Sequence, residues 1–289
     1  MTTRREAVMI AKAVQRYIGS GDYAADSHYW LGANYVEKEI NHHVALRNGL
    51  LAEVRIRTAG ARPPALPDGL DLVGFTRSRV APMVAGLFPA KEHEIVLGLL
   101  ERSVVFLTPS NIEQVLTNED CPSSAWDLAN LYLGSLGRRG LDGKRAGLVG
   151  LSQETTCFVA LTYFTEEDRF ADFVVHEAAH IFHNWKRQYA GMPYTRTREW
   201  LLEIEFRQRE PFAYSCEAYS RILALGRTRA DRDKLLDEYA AGSAPSDERV
   251  DGTEVVGILR DAVAGRNGWK RILARCAPVH VPHRGVGQI

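Results

Sequence analysis

Phe173-Val174-Val175-His176-Glu177-Ala178-Ala179-His180-Ile181-Phe182 is the stretch from which the rest of the chain is read. His176 and His180 are four residues apart, and on an α-helix such residues share one face. Two neutral imidazoles projecting side by side can hold one Zn²⁺ at about 2.0–2.1 Å. Glu177, next to the first histidine, is placed to take a proton from water at that metal. Thr165 with Asp168 three residues later reads as a helix N-cap, and no Gly or Pro occurs from Glu166 to about Lys186. The spacing therefore predicts one long helix with the H-E-x-x-H motif at its middle. Polar residues between apolar flanks at such a place need a reason.

Two histidines do not complete a catalytic zinc site, which takes three protein ligands and leaves one position to water. His183, Glu203, Glu205, Glu210 and Glu217 are the candidates. His183 lies three residues after His180, and three side chains from one straight helix rarely converge on a tetrahedral ion. Glu217 sits in a breaker-free segment after Pro211, a residue suited to a first helical turn. Ala213, Ser215, Cys216, Ala218 and Ser220 surround it, and such small residues let two helices pack closely. Glu203, Glu205 and Glu210 mix with Arg207 and Arg209 in a pattern that reads as a solvated helix face.

H-E-x-x-H followed by a helix reading Phe212-Ala213-x-x-x-Glu217-Ala218-Tyr219 resembles the gluzincin class of zinc metallopeptidases. The resemblance covers roughly residues 150 to 225. It implies His176, His180 and Glu217 as zinc ligands and Glu177 as general base. It departs in spacing, since His180 and Glu217 are 37 positions apart, more than in compact members of the class. Glu203, Glu205 and Glu210 therefore stay open as alternatives.

Thr155 to Phe164 is β-branched and aromatic and reads as a strand leading into the motif helix, with Leu148-Val149-Gly150-Leu151 as its partner. In gluzincins a strand near this position forms the upper edge of the cleft, where an extended peptide can pair with it. The chemistry needs a hydrogen-bond donor for the developing oxyanion besides the metal. Tyr189, Tyr194, Tyr214 and Tyr219 are considered, and Tyr214, almost one turn before Glu217, is the first choice. The loop from Gly191 to Arg198 joins the two expected ligand helices and is expected to border the cleft, with Arg196 and Arg198 facing acidic substrate groups or solvent.

At 289 residues, with 45% hydrophobic and 25% charged residues, the chain is long enough for a substantial core. The 36 basic and 36 acidic residues balance, so no general nucleic-acid or anionic-membrane partner is expected. The basic run Arg138 to Arg145 reads as a solvated loop. No apolar stretch of about 18 residues spans a bilayer, and the N-terminus lacks an apolar signal core. Cys121, Cys157, Cys216 and Cys276 form no C-x-x-C pair, which favours reduced thiols and a cytoplasmic setting.

Elsewhere, helices are read at Arg5 to Ile18, on both sides of Pro89-Ala90, at Ala125 to Leu136, at 229–240 and at 253–264. Leu51 to Ile56 and Val104 to Thr108 read as strands, and Ser110 with Glu113 as a capping box. His280 and His283 fall in a Pro/Gly tail. The Pro-rich segment Arg62 to Pro67 suggests a boundary, giving a mixed region 1–65 and a catalytic domain 66–289. The expectation is a mostly helical α+β protein with a zincin-like core. It would be a zinc-dependent metallopeptidase with a peptide or protein substrate. A hydrolase of a non-peptide amide and a non-catalytic zinc-binding interaction protein are the alternatives.

Overall fold

The computed structural model describes residues 4–23, 30–67, 69–143, 149–153, 155–242, 245 and 250–278. His280, His283 and part of the 138–145 run lie outside the described residues. The protein is α+β and mostly helical. It divides into two compact units, Met1–Leu72 with Val105–Glu166, and Val73–Val104 with Glu167–Ile289. The division differs from the expected cut at 65, because the chain crosses between units three times. No helix among the described residues is long and apolar enough to cross a membrane. All four cysteines are free thiols.

The first unit begins with α1 (Arg4–Ser20) and α2 (Tyr35–Thr58). Asn34 caps α2 by accepting from the Glu37 N–H at 3.0 Å, and Glu37 Oε2 accepts from the Ala33 N–H at 2.7 Å. The strand expected at Leu51 to Ile56 is part of α2. Leu46, Leu50 and Val54, spaced by four, are buried on one face, while Ile56 is exposed. At Gly49 a side chain would strike Val14 of α1, so the two helices approach at a residue that has none. α5 (Ile112–Asn118) and α6 (Pro122–Ser135) follow. The capping box expected from Ser110 and Glu113 does not form. Asn111 takes the cap position, its Nδ2 donating to the Phe106 carbonyl and its Oδ1 accepting from the Thr108 N–H, both at 2.8 Å. Glu113 pairs with Arg55.

A three-stranded sheet has the order β1 (Val104–Leu107), β3 (Thr156–Ala160), β2 (Gly150–Gln153). β2 and β3 are antiparallel, with Gly150 opposite Val159. This is close to the pairing expected at Leu148 to Leu151. β3 does not run directly into the motif helix, because a 3₁₀ turn at Leu161–Thr165 and a further irregular stretch intervene.

The second unit holds α3 (Leu72–Leu87), α4 (His93–Ser103), α7 (Phe173–Asn184), α8 (Arg209–Leu225), α9 (Arg229–Gly242), α10 (Gly252–Ala264) and α11 (Gly268–Cys276). The motif helix α7 is shorter than expected. Thr165 and Asp168 bond locally, to the Thr162 carbonyl and the Phe170 N–H, and the N-cap is Asp172, which accepts from the Val175 N–H. At the other end, the Phe182 and Trp185 carbonyls each accept an N–H at 2.9 Å, from Leu202 and Leu201 of the returning chain. That segment takes the place of the next helical turn. α7 packs on α8, and Ala178 and Ala179 of α7 and Ala213, Cys216 and Ala218 of α8 are all buried.

Candidate metal centre

α7 presents His176 and His180 from one face, as their spacing requires, with Nε2 atoms 3.4 Å apart. Both rings are largely buried. The facing stripe of α8 carries Glu210, Tyr214 and Glu217, at steps of four and three, so all three address α7. The two helices run in opposite directions. Glu217, at the middle of α8, meets the start of α7, while Glu210, in the first turn of α8, meets the middle of α7.

The carboxylate that stands nearest the two Nε2 atoms differs from the expected one. Glu217 was expected there, but its carboxylate lies on the far side of His176. Its Oε2 is 3.0 Å from His176 Nδ1, and its Oε1 accepts from the Asp172 N–H at 2.7 Å. The group beside the two Nε2 atoms is Glu210, whose Oε2 is 3.9 Å from His176 Nε2 and 3.7 Å from His180 Nε2. His176, His180 and Glu210 form a group whose ligand atoms lie within 4.8 Å of one another. The reason is helix geometry: Glu210 and Glu217 share a face but stand about 10.5 Å apart along the axis. They therefore meet His176 at opposite ring nitrogens.

A carboxylate accepts hydrogen bonds and cannot donate them, so Glu217 draws the proton of a neutral His176 onto Nδ1 and leaves the Nε2 lone pair toward Glu210 and His180. Burial by itself would lower the His176 pKa. The hydrogen bond to Glu217, with the charges of Glu217, Glu177 and Glu210, outweighs it and raises the value to about 9. The Asp172 side chain, fully buried, is also ion-paired with Arg79. The start of α7 is therefore held by Arg79, Asp172 and Glu217 together.

Glu177 is buried, at 7% exposure, beside His176. The Tyr214 ring meets His176 edge-on at 4.6 Å between centroids. The remaining candidates go elsewhere. Glu203 accepts from the Glu199 and Trp200 N–H groups at 2.7 and 2.9 Å. Glu205 is exposed. The buried His183 ring stands perpendicular to His180, and burial, with Arg209 nearby, lowers its pKa to about 3.

The segment joining α7 to α8 is irregular, as its composition predicted. Gly191 adopts the left-handed conformation at φ 67°, and Thr195 and Arg198 close a turn with two 3.1 Å bonds. Arg187 ties it down. Its side chain is fully buried and donates to the carbonyls of Pro193 (2.6 Å) and Leu201 (3.4 Å) and to Glu92 Oε1 (2.7 Å). Arg198 lies 3.4 Å from the other Glu92 oxygen.

Sequence reasoning missed the parts played by Asp172, Arg79 and Glu92, which lie apart from the motif. It had one signal for Glu210: the seven-residue spacing to Glu217 puts both carboxylates on one stripe. Compared with known proteins, the chain matches no family model, no curated protein and no solved structure.

Proposed function

We propose that this chain is a zinc-dependent hydrolase, a metallopeptidase of the H-E-x-x-H kind. His176, His180 and Glu210 would hold the metal, Glu177 is the general base, and Glu217 orients His176. The supporting observation is the convergence of two Nε2 atoms and a carboxylate oxygen at 3.4, 3.7 and 3.9 Å. A tetrahedral ion with bonds of about 2.0–2.1 Å sets its ligand atoms about 3.3 Å apart. The group needs only small contractions to fit, and two imidazoles with one carboxylate are a donor set that zinc accepts. A carboxylate holding the other nitrogen of a ligating histidine is the usual support of such a site.

Zinc bound there supplies Lewis acidity, bringing the pKa of a water to roughly 7 and polarising a substrate carbonyl. Glu177 accepts the proton of the attacking water and returns it to the departing nitrogen. Tyr214, packed against His176, supplies the hydroxyl that steadies charge on the carbonyl oxygen. With Glu210 as ligand, the resemblance to gluzincins rests on the motif helix, and peptide bonds are the substrate class it suggests. Glu177→Gln tests the reading, because an amide cannot take the proton while all three ligands remain. Zinc content and peptide turnover are measured on one preparation. Unchanged zinc with turnover reduced by about 10²–10⁴ is expected, and full activity overturns the mechanism.

A further inference from the structure

We propose that Glu39, His42 and His43 on α2 form a second divalent-cation site, suited to a borderline ion such as Zn²⁺. Glu39 stands three and four residues from the two histidines, so all three lie over one turn of α2. Ligands from a single helix cover one side of an ion and leave its other positions to water. One ligand atom from each lies within 4.8 Å of the other two. Glu39 Oε2 is 3.6 Å from His42 Nδ1 and 4.0 Å from His43 Nε2.

His42 provides a separate observation. It is 2% exposed, its ring rests on Trp30 with centroids 4.4 Å apart, and among the described residues its Nδ1 has no hydrogen-bond partner. That nitrogen faces Glu39 across a gap too long for a hydrogen bond. A buried ring nitrogen with no partner is unfavourable unless something engages it. An ion does so: two atoms at about 2.0–2.1 Å from one metal stand about 3.3 Å apart at the tetrahedral angle and up to about 4 Å at wider angles. Two imidazoles and a carboxylate favour late first-row ions over Ca²⁺ or Mg²⁺.

The surroundings leave room for this. Glu39 and His43 are partly exposed, so their side chains can close on an ion while the buried His42 stays in place. Arg16, a cation near His42, has its guanidinium on Asp22 at 3.2 Å. The cluster lies in the first unit and shares no residue with the H-E-x-x-H centre. Its role is to fasten the packed ring of His42 to α2, so binding stabilises the first unit by mass action.

The test uses the untagged full chain with Zn²⁺, titrated calorimetrically. His176→Ala with His180→Ala removes the first centre, and this variant is expected to bind one equivalent and to melt higher with Zn²⁺ than with a chelator. Adding Glu39→Gln and His43→Ala, two partly exposed positions whose loss spares the core, is expected to weaken that equivalent at least about tenfold. A folded His176→Ala, His180→Ala variant that binds no Zn²⁺ overturns the proposal, as does unchanged affinity after the Glu39 and His43 changes. If the parent binds one ion and the His176/His180 variant still binds it, the second site stands and the reading of the first centre fails.

Discussion

Both oxygens of Glu217 are committed, one to the Asp172 N–H and one to His176 Nδ1, whereas Glu210 faces the two Nε2 atoms. The two carboxylates should therefore fail differently. Glu217→Gln removes the leading cause of the raised His176 pKa, so in the metal-free protein that value should fall from about 9. Zinc affinity should drop by about 10–100-fold. Glu210→Gln removes a ligand and should cost more affinity, with a smaller change in the His176 titration, because Glu210 is the weakest of its named causes. NMR titration of the imidazoles beside calorimetric zinc binding separates the two, and equal behaviour would remove the distinction. The pH dependence of binding has a definite sign. Metal-free His176 is protonated below about 9, and zinc must displace that proton. Affinity should rise with pH by up to about tenfold per unit and level off as the pH passes that value. Buffers of different ionisation enthalpy would report the proton released.

At the scale of elements, the pair Arg187–Glu92 holds the segment between α7 and α8 in place. Both side chains are almost wholly buried, and they come from residues 95 positions apart. Removing one partner leaves an uncompensated charge in the interior, which costs about 3–5 kcal/mol. Glu92→Ala should destabilise the protein by an amount of that order in urea unfolding. It should also loosen the return of the chain to Leu201 and Leu202, whose N–H groups cap the end of α7. A loss under about 1 kcal/mol would mean that solvent reaches the site and screens the pair.

At the scale of the whole molecule, the second unit is discontinuous, and its two segments depend on each other. Arg79 and Glu92 come from 73–104, while their partners Asp172 and Arg187 come from 167–289. A fragment of residues 167–289 alone should therefore lack near-ultraviolet circular dichroism and bind zinc poorly at His176 and His180. Joining 73–104 to it through a Gly/Ser linker should restore both. A fragment that folds and binds zinc without 73–104 would show that the two ion pairs are dispensable.

Much of this was legible in the chain itself. The spacing of His176 and His180, the small residues around Glu217, most helices and the antiparallel pair near residue 150 follow from periodicities of two or about four residues, which local backbone geometry fixes. Neither the short α11 nor α2 as a helix is legible there; a short stretch such as Leu51 to Ile56 suits helix and strand alike. Only the tertiary structure decided that Glu210 faces the histidines while Glu217 supports one of them from behind. The two share a helical stripe, so periodicity treats them alike. What separates them is the axial register and direction of α8 against α7. That register is set by the packing of two helices and by a connecting segment anchored through Arg187 to a glutamate far away in sequence.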